Sequence, residues 1–345
     1  MAADLKLRGF NVTFYEHPKF AERFEPVLKS GIVKINGLLN GVVKIDKVTT
    51  DIREALADVE IVNIVIPASG HELFFAEMIP HLKDGQIVVV WAGDFGSLRL
   101  ANLLKQNNIG KKIYVAETNT LPYGTRLKRV GEIELLLTAP KITLASLPAT
   151  DTQYVLDKLA PLFPMLVATD NVIITNLNNP NPIIHPPGSL LNTGRIQYSQ
   201  GDFYMYREGI TEAVARVIKV IYLETAALAK GLGFEVLKYD DRDFITTVSI
   251  MGVAFVAPFD TIGAIAGIQG PKTIYDRYIT EDLPFGLVPM SELGKKIGIA
   301  TPVIDAIVNI GSHVCKDNFW QTGRTLETLG LAGMSKTEII KYVSG

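Results

Sequence analysis

The first half of the chain alternates short apolar runs with amphipathic stretches. The runs IVNIVIPA from Ile61, QIVVVWAG from Gln86 and KKIYVAET from Lys111 are apolar on both faces. That is the pattern of strands in a buried parallel sheet. HELFFAEMIPHL and SLRLANLLKQNN lie between them with helical spacing. Strand and helix alternating at these lengths imply right-handed crossovers and a doubly wound sheet. At the start, Ala2 to Leu7 predicts a helix, Gly9 its stop, and Asn11 to Tyr15 a strand closed by Glu16. From Glu132, EIELLLTAP, KITLASLP and MLVATDNV read as further strands of the same sheet, with TDTQYVLDKLAPLF as a helix among them.

Near Asn171 the pattern changes. NLNNPNPIIHPPGSLLNTG is dense in Asn, Pro and Gly, which punctuates a boundary. Beyond it the periodicity is helical. GITEAVARVIKVIYLETAALAKGLG is a long helix ending at a Gly pair, and TPVIDAIVNIGSHV begins with a proline suited to a first helical position. The expected architecture is therefore an α/β Rossmann-type domain over residues 1–170, its first strand missing, followed by an all-α domain over residues 171–345.

Composition adds bounds. The 345 residues are 48% hydrophobic and 20% charged, enough for two ordinary folded domains. A net charge of −2 gives no reason to expect nucleic acid or an anionic membrane as partner. The single cysteine, Cys315, excludes an intramolecular disulfide and points to a reducing compartment. No signal peptide is evident, and GVAFVAPFDTIGAIAGIQG from Gly252, interrupted by Pro258 and Asp260, reads as buried helices rather than a span. A soluble cytoplasmic protein is expected. No His/Cys/Asp/Glu set has metal-ligand spacing, so no metal is expected.

In a dinucleotide-binding half, a glycine-rich turn leads the pyrophosphate to a helix N-terminus, and an acid ending the second strand takes the ribose hydroxyls. Glu16 occupies that acid's place, which favours NAD over NADP; the alternative is a solvated strand-end carboxylate. Neither GLLNG nor GDFGS links a first strand to a first helix, so neither supplies the fingerprint. A start assigned too late, or a lost upstream segment, is the simpler expectation; a truncated, cofactor-free protein is the alternative. Pro67 and Ala68 end the strand expected to pass the nicotinamide-side ribose.

Three blocks then carry a resemblance: NNPNPIIHPPGSLLNTGRI, RYITEDLPFGLVPMSELGKKIG and GRTLETLGLAGMS. In their order and spacing the chain resembles the opine dehydrogenases, from Ala2 to the C-terminus. The resemblance implies reductive condensation of a 2-oxo acid, commonly pyruvate, with the amine of an L-amino acid, NAD(P)H delivering hydride to the imine carbon. His185 matches the family's catalytic histidine, preceded by Asn179 and Asn181 in an N-x-N-x-x-x-H arrangement, with Asn181 as a substrate-binding position. Asp282 matches the carboxylate paired with it, and Arg277 the substrate-binding arginine. An imidazole oriented by a carboxylate suits proton transfer near neutrality, and a guanidinium fork grips carboxylates. By composition alone, His185 could be a packed or turn histidine, Asp282 a cap and Arg277 a surface charge.

In the family, the segment from Glu117 to Arg126 helps line the substrate site. Glu117 is the position expected to meet the amino acid's amine or cationic side chain; a carboxylate capping the following loop is its alternative. His71, His81 and His313 read as helix-face residues, and His17 as a neighbour of the adenosine. The apolar helices around Val220 and Ile307 could form a homodimer seam or belong to the core. Two rival functions stay open: a ketopantoate or 2-hydroxy-acid type reductase, and a non-catalytic relative without cofactor.

Overall fold

The computed structural model describes residues 1–240, 244 and 269–345. The apolar stretch from Gly252 through Ile268 lies outside these residues. The strands are β1 (Thr13–Tyr15), β2 (Ile32–Gly37), β3 (Gly41–Lys44), β4 (Lys47–Thr49), β5 (Ile61–Ile64), β6 (Ile87–Trp91), β7 (Tyr114–Thr118), β8 (Tyr123–Arg129), β9 (Glu132–Thr138), β10 (Ile142–Leu147) and β11 (Leu166–Ala168). They form three sheets.

The central sheet has five strands in the order β11-β10-β7-β6-β5. Its middle strands are the apolar runs of the sequence. Ile87, Val88, Val89 and Val90 are wholly buried, each contributing roughly 1.5–3 kcal/mol relative to an exposed side chain. β5, β6 and β7 are parallel, but β10 runs antiparallel to β7, with Leu144 opposite Thr118. The sheet is thus mixed rather than wholly parallel.

Glu132–Thr138 does not extend this sheet, contrary to the sequence reading. β9 pairs with β2 and β8 in a separate four-stranded sheet of order β3-β2-β9-β8. The physical reason lies in its alternation: its buried positions, Leu135 and Leu137, are two apart, whereas β10 is buried at every position. A strand with one covered face suits a sheet packed on one side only. Gly131, at φ 76°, makes the tight turn from β8 to β9.

Among the described residues, β1 pairs in parallel with β4 alone. Its other edge, and the edge of β5, line a cavity of about 700 Å³ that also holds Glu16.

The helical half is built around the long helix Glu212–Leu232, capped by the Thr211 side chain and ended by Gly233 at φ 90°. Pro302 opens the helix Pro302–Cys315 as predicted. Ile307 is core, whereas Val220 is 39% exposed. The Asn/Pro-rich segment read as a boundary forms two buried helices, Val172–Leu177 and Pro180–Leu190. Asn171 and Asn179 cap them through their side chains, and Pro180 sits at a first-turn position where no N–H is needed. Pro186 and Pro187 lie inside the second helix. Burial of every residue from Pro182 to Leu190 overrides their poor helix propensity. The last helix, Lys336–Ser344, returns to pack on β10.

Candidate active site

A cavity of about 340 Å³ lies where the two halves meet. Pro67 after β5, Asp94 after β6 and Thr120 after β7 line one side, and His185, Tyr206 and Asp282 the other. Its position at the carboxyl ends of parallel strands is where α/β sheets hold ligands.

His185 projects from the proline-rich helix, 3% exposed. Its Nδ1 lies 2.8 Å from Asp282 Oδ2, and its Nε2 lies 2.9 Å from the Tyr206 hydroxyl. The Tyr278 ring stacks on it at 3.9 Å and 9°. Burial, reinforced by the Arg277 charge, pushes the imidazole down to about 3, so the resting ring is neutral. Burial and the charge of Glu281 push Asp282 well above the usual carboxylate range. In this buried pair a lone imidazolium is disfavoured, and Asp282 is the group that fixes the Nδ1 proton.

Both partners of His185 sit on π-helical turns, Met205–Gly209 and Asp282–Leu287. Pro284 has no N–H to offer four residues back, so the chain widens at that point. Gly323 packs on this turn: a Cβ there would lie 2.5 Å from the Pro284 carbonyl oxygen. Gly323→Ala is expected to destabilise the fold by about 1–3 kcal/mol, read as a lowered thermal midpoint.

Behind the cavity runs a buried polar seam. Ala92, Asp94 and Phe95 all have φ between 49° and 66°, a strained conformation costing about 1–3 kcal/mol per residue. Arg324, 3% exposed, holds this loop. Its Nη1 donates to the carbonyls of Gly93, at 2.7 Å, and Asp94. Its Nη2 lies 2.7 Å from His71 Nδ1. The Asn-rich segment supplies further stitches: Asn176 Oδ1 accepts from Phe95 N at 2.5 Å, and Asn179 Nδ2 donates to Asp94 Oδ1 at 2.7 Å. Burial, then the charges of Asp282 and Glu281, pushes Asp94 well above the usual carboxylate range.

The structure brings His185, Asp282, Arg277 and Asn181 to one cavity. Arg277 is not an open fork, because its Nη1 pairs with Glu281 at 2.9 Å. Glu281 also accepts from Ala68 N at 2.8 Å, tying the turn after β5 to the helical half. Ala68 is thereby buried behind Pro67, which lines both cavities.

Glu117 must be corrected. It is fully buried beneath the loop and accepts from Gly96 N at 3.1 Å, Ser97 N at 3.0 Å and the Ser97 hydroxyl. It caps the helix Gly96–Gln106, where a carboxylate meets the positive end of the dipole, and does not line the cavity. His71 opens the helix His71–Met78 and is wholly buried against Arg324.

Tyr206, Tyr278, Arg126, Asp94, Glu281 and Arg324 were not singled out from the sequence. Arg126 lies in the segment from Glu117, and Arg324 in GRTLETLGLAGMS, so their blocks were legible though their roles were not. Arg126 lines the cavity beside Arg277.

The second cavity fits a nicotinamide dinucleotide on its adenosine side. Glu16 lines it, with a carboxylate whose nearest donor is the adjacent His17 N–H at 2.9 Å. Phe20 and Phe74 supply apolar wall, and Val65, Ile66 and Pro67 are shared with the His185 cavity. Arg23 also lines this cavity and is the cation that would face a 2′-phosphate.

A Rossmann-type half, a helical half and a cleft between them with an acid-paired imidazole define a nicotinamide-nucleotide-dependent oxidoreductase. Residues 168–315 match the family described as NAD/NADP octopine/nopaline dehydrogenase, alpha-helical domain. An opine dehydrogenase from Arthrobacter sp. (strain 1C) is 31% identical over 344 residues, covering 98% of this chain and 93% of the relative. The chain belongs to the opine dehydrogenase family. Octopine dehydrogenase, solved with NADH and pyruvate, superposes with a TM-score of 0.70 at 18% identity, over 97% of this chain and 92% of that one. Yersinopine dehydrogenase with NADP+ superposes with a TM-score of 0.69 at 14% identity, over 99% and 94%. Among the described residues, no helix is long and apolar enough to cross a membrane.

Proposed function

We propose that this protein is an NAD-dependent opine dehydrogenase that condenses the amine of an L-amino acid with a 2-oxo acid such as pyruvate. The observation that carries the reading is the 2.8 Å pairing of His185 with Asp282 in a cavity that two arginines, Arg126 and Arg277, also line. Both substrates bear a carboxylate, and the product is a secondary amine with two. Two guanidinium groups in one cavity suit such a dicarboxylate. Asn181 and Tyr278 complete the substrate wall.

When bound, the reduced nicotinamide supplies hydride to the imine carbon. Glu16 and Pro67 would hold the cofactor's two ribose ends, and the Glu16 carboxylate supports NAD over NADP. His185, neutral at rest, is the base that stores the proton released by the incoming ammonium group and gives it up again when the carbinolamine loses water. Asp282 keeps the imidazole in one tautomer and stabilises the imidazolium while it exists.

The test is NADH consumption with pyruvate alone and with pyruvate plus a panel of amino acids. Oxidation that requires both substrates is expected; equal rates without any amine would point to a simple oxo-acid reductase. Arg126→Gln is expected to raise the KM of one carboxylate substrate roughly 10- to 100-fold, the loss of one charge-assisted hydrogen bond. As an exposed side chain it should leave the melting temperature nearly unchanged.

A further inference from the structure

We propose that Tyr206 is a catalytic residue, and that its hydroxyl, rather than the His185 ring, exchanges protons with the substrate. The inference rests on the opine dehydrogenase reading and deepens it. Both ring nitrogens of His185 are already engaged, Nδ1 by Asp282 at 2.8 Å and Nε2 by Tyr206 at 2.9 Å. One face of the ring is covered by Tyr278 at 3.9 Å. Tyr206 and His185 both line the cavity, but Nε2, the ring nitrogen not held by Asp282, is occupied by the phenol.

The backbone supports the placement. Tyr206 lies within the π-helical turn Met205–Gly209, whose widened geometry recurs where a side chain must be aimed. The Tyr204 N–H donates to Glu208 Oε1 at 2.9 Å, which fixes the turn. Gly209 is required on its far side, because a Cβ would lie 2.6 Å from the Phe203 ring. Asp282, His185 and Tyr206 therefore form a chain of three hydrogen-bonded groups along the cavity wall.

The proton steps balance through this chain. The substrate ammonium loses a proton to the Tyr206 oxygen as the Tyr206 proton passes to His185 Nε2, leaving a free amine and an imidazolium held by Asp282. The amine adds to the oxo carbon to give a neutral carbinolamine. Its C–O bond then breaks with the electron pair on oxygen, that oxygen takes the Tyr206 proton, and water leaves. The nitrogen lone pair forms the C=N bond of an iminium cation, and Tyr206 recovers its proton from Nε2. The positive charge has moved from imidazolium to iminium, and the dyad is back in its resting state. A phenol that stays protonated between transfers suits a relay, and burial, then Tyr278, pushes this hydroxyl well above the usual tyrosine range.

Tyr206→Phe separates the relay from direct action by His185, since it removes the hydroxyl and uncovers Nε2. The relay requires that amine-dependent NADH oxidation fall roughly 100-fold or more in kcat, with the KM of the oxo acid little changed and the pH–rate profile altered. Wild-type kcat with an unchanged profile would overturn it. In parallel, the imidazole ¹⁵N shifts of the protein without substrates should show Nε2 hydrogen-bonded in the wild type and released in Tyr206→Phe. Identical Nε2 shifts would also overturn the proposal, whether or not either protein turns over. Absence of amine-dependent turnover in the wild type would instead count against the opine dehydrogenase reading.

Discussion

His185→Ala is expected to reduce amine-dependent NADH oxidation by roughly 10²- to 10⁴-fold, the usual contribution of a positioned acid–base group. The imidazole is the base through which the proton passes, and Asp282 cannot replace it, because its carboxylate is held at 2.8 Å from Nδ1, the ring nitrogen opposite the one that meets Tyr206. NADH affinity should be almost unchanged, since His185 does not line the cavity that holds Glu16. Steady-state rates and NADH fluorescence titration together check both halves of this expectation. An alanine variant with wild-type kcat would remove His185 from the mechanism.

Arg324→Met is expected to destabilise the protein by about 3–5 kcal/mol, the cost of leaving buried partners of a charge unpaired. The guanidinium donates to the Gly93 and Asp94 carbonyls and contacts His71. It also offsets the carboxylates of Asp94 and Glu117, both pushed upward, chiefly by burial. Without it the loop at Ala92, Asp94 and Phe95 loses what holds its left-handed backbone. A loss of that size is a large share of the roughly 5–15 kcal/mol that keeps a domain folded. The sign of its pH dependence follows from linkage. Asp94 and Glu117 titrate higher in the folded than in the unfolded chain, so the folded state holds more protons between the two values. Their contribution is present at low pH and lost as pH rises through the folded pKa. The variant's deficit should therefore be smaller near pH 5 than near pH 8. Urea titrations at the two pH values measure it; equal deficits would mean the carboxylates are not what Arg324 offsets.

The sequence made the central strands legible because full burial writes itself as continuous apolar runs, as in Ile87 to Trp91. It made the helical half legible through period and caps, as at Thr211, Gly233 and Pro302. It misled at Glu132–Thr138, where an apolar run hid the alternation of a strand with one covered face. It misled again at Pro180–Leu190, where local propensity argued for a break and tertiary burial won. The site divides in the same way. His185, Asp282 and Arg277 stood out only through the spacing of whole blocks, since none has a local pattern of its own. Glu117 was misassigned because a strand-end carboxylate can point into a cleft or under the next helix, and only the packed loop decides which. Tyr206 carried no signal and Arg324 only that of its block, because a buried tyrosine and a buried arginine are recognisable by their partners rather than by their neighbours in sequence.

The fate of the hydride probes most directly the claim that a carbon–nitrogen double bond is what becomes reduced. NADH carrying deuterium at the transferred position would be incubated with the protein, pyruvate and the best amino acid, and the product read by mass spectrometry and NMR. Deuterium on the carbon bonded to the new secondary amine nitrogen is the expected result. Deuterium on a hydroxyl-bearing carbon, with the amino acid recovered unchanged, would contradict it.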